Sequence, residues 1–267
     1  MHIAEAGNGG FAGVFRFSSI VGYQNKGFDN AQYNIAAATF VPVAGDKDAM
    51  TLGDLVPNDE FVNSMVTFMT AGGATPRVSF GGKQVAANYV YWTEDDEPED
   101  GAGWYLYADD DGEVNQNSVS IPFGTGFLVY RNGSETDANL VFSGEVSAEP
   151  VTKGFPNAQY NICGNCSPTG ITLGDLVPND VFVNSMVTFM TAGGATPRVD
   201  FGGKQVAANY VYWTEDDEPE DGAGWYLYAD DDGEVNQNSI PLAAGQGFLV
   251  YRNGSEAAAT ITIPSAL

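Results

Sequence analysis

An all-β protein, made of two tandem, near-identical β-sandwich or distorted-barrel domains with an N-terminal strand arm, is the fold class that three observations predict. First, Thr51–Ser118 recurs as Thr172–Ser239 at a constant offset of 121, with only Glu60 against Val181 and Ser79 against Asp200 differing. A period of that size marks a duplicated structural unit. Second, short runs of aromatic and β-branched residues alternate with Gly, Pro, Asn and Asp turn signals, the spacing of sandwiches and barrels. Third, no stretch carries the period of a helix of several turns, while 33 glycines, 13 tyrosines and 16 phenylalanines in 267 residues suit a turn-rich pleated structure. The chain is long enough for each copy to close its own core. The reading divides it into an arm strand at 1–26, β domain 1 at 27–148 and β domain 2 at 149–267.

Taken in order, the arm opens Gly-rich and continues as FAGVFRFSSIV, whose alternation reads as a strand from Phe11 to Phe17. QYNIAAATFVPV reads as a strand pair or one long bent strand, and TLGDLVPND as a single short helical turn. VNSMVTFMT has period two, placing Val62, Val66 and Phe68 on one inward face. RVSF and KQVAANYVYW follow as strands, then the acidic loop TEDDEPEDGAG, the strand WYLY, an Asp-Gly turn in ADDDGEV, and the strands SVSIPFGTGFLVYR and ANLVFSGEV. That makes about eight strands per body, with Phe68, Val90, Tyr91, Trp104, Phe127 and Val129 among the expected core.

The flanks match as well. VFRFSSIVGYQNKGF (14–28) and VFSGEVSAEPVTKGF (141–155) share their length, a Val-Phe start and a Lys-Gly-Phe end, and ATITIPSAL holds the equivalent place after the second body. Read as one strand each, these give three flanking strands for two bodies, and so a strand or sheet edge left for pairing between chains.

Composition narrows the function classes. A formal charge of −25 repels nucleic acid and anionic membranes, and the two blocks supply most of it. No run is long and apolar enough for membrane insertion as a helix. An acidic, Lys-poor, Gly-rich chain with NGS at Asn132 and Asn253 points to an extracellular or cell-surface location. The single histidine, His2, has no counterpart in the second copy, which argues against nucleophilic triads and His-based metal centres, and phosphate-cradling glycine motifs are missing. No catalytic residue is assigned and the chain is read as a non-enzyme.

Three candidate sites remain. Cys163 and Cys166 form CGNC, which is read as a disulfide across a shortened loop, with free thiols or redox use as alternatives. Asp109, Asp111 and Asn115, with Asp230, Asp232 and Asn236 in the second copy, give an oxygen-rich DxDGxxN pattern suited to calcium, although it lacks the full EF-hand spacing. Solvated acidic loops are its bland alternative. Trp92, Trp104, Tyr105 and Tyr107, with Trp213, Trp225, Tyr226 and Tyr228, are candidates for stacking surface glycans or for ordinary core.

The pattern of AGWYLYADDD followed by SIPFGTGFLVYR or SIPLAAGQGFLVYR resembles the repeated secreted β-domains of verrucomicrobial and lentisphaeral-type bacterial surface proteins. Asn34, Phe40, Leu52, Asp54, Trp104, Gly126, Phe127 and Val129 occupy the matching places. The resemblance implies an exported surface protein and carries no catalytic residue; the acidic loop departs from it. The function expected from all this is a structural subunit of an extracellular filament or surface lattice. It would polymerise with copies of itself by β-strand addition through Phe11, Val14, Phe15 and Phe17. The alternative is an adhesin or a carbohydrate- or calcium-binding surface module.

Overall fold

The computed structural model describes residues 20–28, 33–43, 49–61, 64–70, 74–131, 138–156, 160–182, 185–189, 195–217, 219–252 and 259–267. The expected arm strand, Val62 and the two NGS sites lie outside the described residues. The first half contains β1 (Val21–Gly27), β2 (Tyr33–Ala37), β3 (Met50–Thr51), β4 (Val56–Pro57), β5 (Met65–Thr67), β6 (Arg77–Phe80), β7 (Lys83–Ala86), β8 (Asn88–Trp92), β9 (Gly103–Leu106), β10 (Ser120–Ile121), β11 (Gly126–Tyr130) and β12 (Asn139–Glu145). The second half repeats the series as β13 (Val151–Phe155), β14 (Tyr160–Gly164), β15 (Ile171–Thr172), β16 (Val177–Pro178), β17 (Met186–Thr188), β18 (Arg198–Phe201), β19 (Lys204–Ala207), β20 (Asn209–Trp213), β21 (Gly224–Leu227), β22 (Pro241–Leu242), β23 (Gly247–Tyr251) and β24 (Ala259–Ile263). The protein is all-β; its helical elements are single 3₁₀ turns such as Leu52–Asp54. That turn forms where Asp54 Oδ2 accepts from the Thr51 backbone N–H and hydroxyl at 2.7 and 3.0 Å, satisfying donors a helix start leaves open.

Each half pairs a five-stranded sheet, β2-β11-β5-β8-β9, with a three-stranded one, β1-β12-β4, and adds the ribbons β3-β10 and β6-β7; the second half follows the same orders. All paired strands run antiparallel. The core lies between the sheets, as in a sandwich. Phe127, Val129, Val66, Tyr89 and Trp104 project from the larger sheet, and Leu140 and Phe142 from the smaller. Phe127 and Phe142 meet across the gap with ring centroids 6.2 Å apart. Trp104 is fully enclosed, and its indole N–H donates to the Leu55 carbonyl at 3.1 Å, giving the large ring its one required partner. Phe68 and Tyr91 pack on this core partly buried, whereas Val90 is buried through the opposite face of the sheet, beside Tyr105 in the register.

Two sequence expectations change. Strands of two residues such as β3, β4 and β10 are too short to show alternation, so among the described residues the count rises from about eight to twelve per half. The fifteen-residue flank 141–155 is two strands, the end of β12 and all of β13, separated by Val146–Pro150. Because β1 pairs with β12 from Val21↔Glu145 to Gly27↔Asn139, a boundary after residue 26 cuts through a strand. β13 pairs with β24 in the same way. Each half therefore owns two flanking strands, and neither is short of one.

Candidate functional site

The acids of each half gather on two loops beside β8 and β9. Thr93 caps a 3₁₀ turn at Glu94–Asp96, with Asp96 Oδ2 accepting from its backbone N–H and hydroxyl at 2.8 and 2.9 Å. Glu94 reaches back to the Ala102 N–H, and Asp100 Oδ2 accepts from the Asn115 N–H at 3.3 Å. The second loop folds around Asp109. This carboxylate is only 2% exposed, and its two oxygens accept the N–H groups of Glu113 and Val114 at 3.1 and 3.0 Å. Gly112 allows the tight return, with φ +64° and Trp92 so near that a Cβ would lie 2.6 Å from the ring. Asp230 repeats the arrangement with Glu234 and Val235.

This geometry revises the calcium reading. Asp109 and Asp230 brace their loops, Asp111 and Asp232 are exposed, and Asn115 Oδ1 accepts from Asn117 N while its amide nitrogen lies against Gly103; Asn236 does the same against Asn238 and Gly224. Among the described residues, no group of three or more His, Cys, Asp and Glu side chains is arranged to hold a metal ion.

The glycan-stacking reading loses most of its residues for a packing reason. Trp104, Tyr105, Trp225 and Tyr226 are fully buried. Trp92 lies stacked on Tyr105 with centroids 5.3 Å apart, and Trp213 lies tilted against Tyr226 at the same distance. The Tyr105 hydroxyl donates to the Gly101 carbonyl, and burial, followed by the nearby Asp100, Asp109 and Glu94 carboxylates, pushes its pKa up. Tyr107 and Tyr228 alone remain open, each 63% exposed.

The expected disulfide is likewise not formed, since Cys163 and Cys166 are free, buried thiols. Cys163 sits at the end of β14 opposite Phe248, and its Sγ faces the Gly124 carbonyl at 3.8 Å. Burial pushes its pKa up to about 12, and that of Cys166 up to about 11, so both are protonated at neutral pH.

Sequence reasoning missed the surface where the halves meet. Ile35 and Leu128 of the first half and Ile162 and Leu249 of the second form one buried apolar cluster, with Met69 beside it. Equivalent positions exchange contacts across it. A Cβ on Gly126 would lie 2.4 Å from Ile162 Cγ2, and one on Gly247 2.0 Å from Ile35 Cγ2. The turn after β22 lies over the first half, where Gly245 O accepts from Ala37 N at 3.2 Å and Ala244 O from Gln24 Nε2 at 2.8 Å. The turn after β10 lies over the second half, where Lys153 Nζ donates to Thr125 Oγ1 at 3.2 Å. The joint is thus close to two-fold symmetric. Its sequence signal is glycine in both GFLVY strands, where a strand normally avoids it.

No known family, curated protein or solved structure matches the chain. No helix among the described residues is long and apolar enough to cross a membrane.

Proposed function

We propose that the protein is a structural subunit of an extracellular filament or surface lattice, linked to copies of itself by β-strand addition through Phe11, Val14, Phe15 and Phe17. One observation carries this reading. The text shared by 14–28 and 141–155 lies, in its second occurrence, across two bodies: Val141 and Phe142 belong to β12, which closes the first half, and Val151–Phe155 is β13, which opens the next. By the same division, Val14–Phe17 is closing-strand text placed before β1. The corresponding place in the first half is filled by β12, held between β1 and β4, and that in the second half by β24, held between β13 and β16. A body in a neighbouring subunit is the acceptor that this reading assigns to it. The exposed Ile20, Val21 and Tyr23, at 53, 61 and 78% of their surface, mark the adjoining end of β1 as an apolar edge.

Head-to-tail donation of one arm closes only if the rotation completes a ring, and otherwise extends into a fibre. Comparing the full chain with one lacking residues 1–19 by light scattering and negative-stain microscopy tests the reading. The full chain assembles and the shortened chain stays folded and monomeric. Assembly without the arm, or a full chain that is monomeric at high concentration, overturns it.

A further inference from the structure

The two thiols lie where the halves meet, and this placement separates them from an ordinary buried pair. Cys163 Sγ is 3.8 Å from the Gly124 carbonyl, and Cys166 Sγ is 3.9 Å from where a Cβ on Gly124 would be. Gly124 belongs to the turn after β10, the part of the first half that lies over the second. Lys153, which reaches Thr125 in that turn, acts electrostatically on both sulfurs. In the symmetry-related corner the equivalents of the two cysteines are Ala36 and Thr39, so the chemistry exists on one side of the joint only. A crevice lined by Phe123, Val151, Pro168 and Pro264 reaches Cys166 from outside.

We propose that Cys163 and Cys166 are a redox-sensitive clasp on the joint: as two thiols they hold the turn around Gly124, and as a disulfide they release it. The oxidant class is a small-molecule disulfide. The Cys166 thiol, at the crevice, loses its proton and attacks one sulfur of the reagent, whose S–S bond breaks and releases one thiol. Cys163 then attacks Cys166 in the mixed disulfide, and the second thiol leaves. Two protein thiols are oxidised, one reagent disulfide is reduced to two thiols, and each protein proton leaves on a departing thiol. The new bond draws Cys163 Sγ toward Cys166 and removes the S–H, which has the Gly124 carbonyl at 3.8 Å and the Gly164 carbonyl at 3.9 Å as its acceptors.

The test uses the full chain treated with glutathione disulfide, beside the variant Cys163→Ala/Cys166→Thr. That pair copies the first half's own residues at these positions. Peptide mass spectrometry without reduction reads the bond, and amide hydrogen exchange reads the turn at 122–126. The folded protein forms the Cys163–Cys166 bond, and exchange at the turn quickens about tenfold, the equivalent of ~1.4 kcal/mol. The variant, folded by circular dichroism, shows no response to the reagent. The inference is overturned if the bond forms without quickening the turn. It is equally overturned if the folded protein forms no such bond, or if the variant's turn responds as the parent's does.

Discussion

Replacing Asp109 by Ala removes a buried carboxylate on which a whole loop is wound. Both oxygens are used, at 3.1 Å to Glu113 N and 3.0 Å to Val114 N, and the side chain is 2% exposed. Hydrogen bonds to a charged acceptor contribute roughly 1.5–3 kcal/mol each. The freed amides lie near the surface and regain water, so the expected loss is about 2–4 kcal/mol rather than the full sum of both bonds. Asp109→Asn keeps one acceptor and should lose about half as much. The repeat supplies an internal control: Asp230→Ala should cost the same, and the double variant the sum, since the two loops lie in different halves. Urea unfolding followed by tryptophan fluorescence measures the effect, with hydrogen exchange over 107–119 locating it. A loss below about 0.5 kcal/mol, the range of ordinary surface changes, would refute the brace. So would a loss that disappears when calcium is chelated, because it would make the carboxylate a metal ligand first.

Gly247→Ala places a methyl group against Ile35 and should destabilise the joint by about 1–3 kcal/mol while leaving circular dichroism unchanged; an unaltered thermal midpoint would count against the close approach. Trp104→Phe strands the Leu55 carbonyl and leaves a void, a loss of about 2–4 kcal/mol in a denaturant series. Alkaline stability should depend on the thiols. Their folded pKa values, about 12 and about 11, lie above the ordinary 9.0, so the unfolded chain releases protons first. Stability is therefore full below pH 9.0 and declines as pH rises toward the folded values, joined by Tyr89, Tyr105, Tyr210 and Tyr226 from about pH 10.0. Cys163→Ala/Cys166→Thr should flatten the first part of that decline, and parallel curves for parent and variant would exclude it.

The sequence and the structure agree most closely where a signal is local. The helical turn at Leu52–Asp54 follows from Thr51 and Asp54 standing three apart, and the core positions of Val66, Phe127 and Val129 follow from period two. The acids were harder to place, because a carboxylate looks the same in text whether it binds an ion, faces solvent or accepts two amides. Only the fold brings Glu113 and Val114 back over Asp109. Trp104 and Tyr105 posed a similar difficulty: adjacent residues in a strand point to opposite faces, and both faces of this sheet turn out to be covered. The joint was invisible for a third reason. Ile35 and Leu128 read as outward positions of a half-buried sheet until the second half is seen to cover them.

The depth of the duplication also creates an ambiguity during folding. β5 and β17 are identical in sequence, as are β11 and β23, so nothing in the side chains tells β5 to pair with β11 rather than β23. Separation along the chain breaks the tie. Met65 is 65 positions from its partner Tyr130 and 186 from the equivalent Tyr251. The longer closure costs about 1 kcal/mol more entropy, a preference of only about fivefold for one contact. A margin so small makes crossed pairing between neighbouring halves a standing hazard for a chain emerging whole, as in other tandem repeats. Synthesis from one end eases it, since β11 is complete and available to β5 before β23 exists.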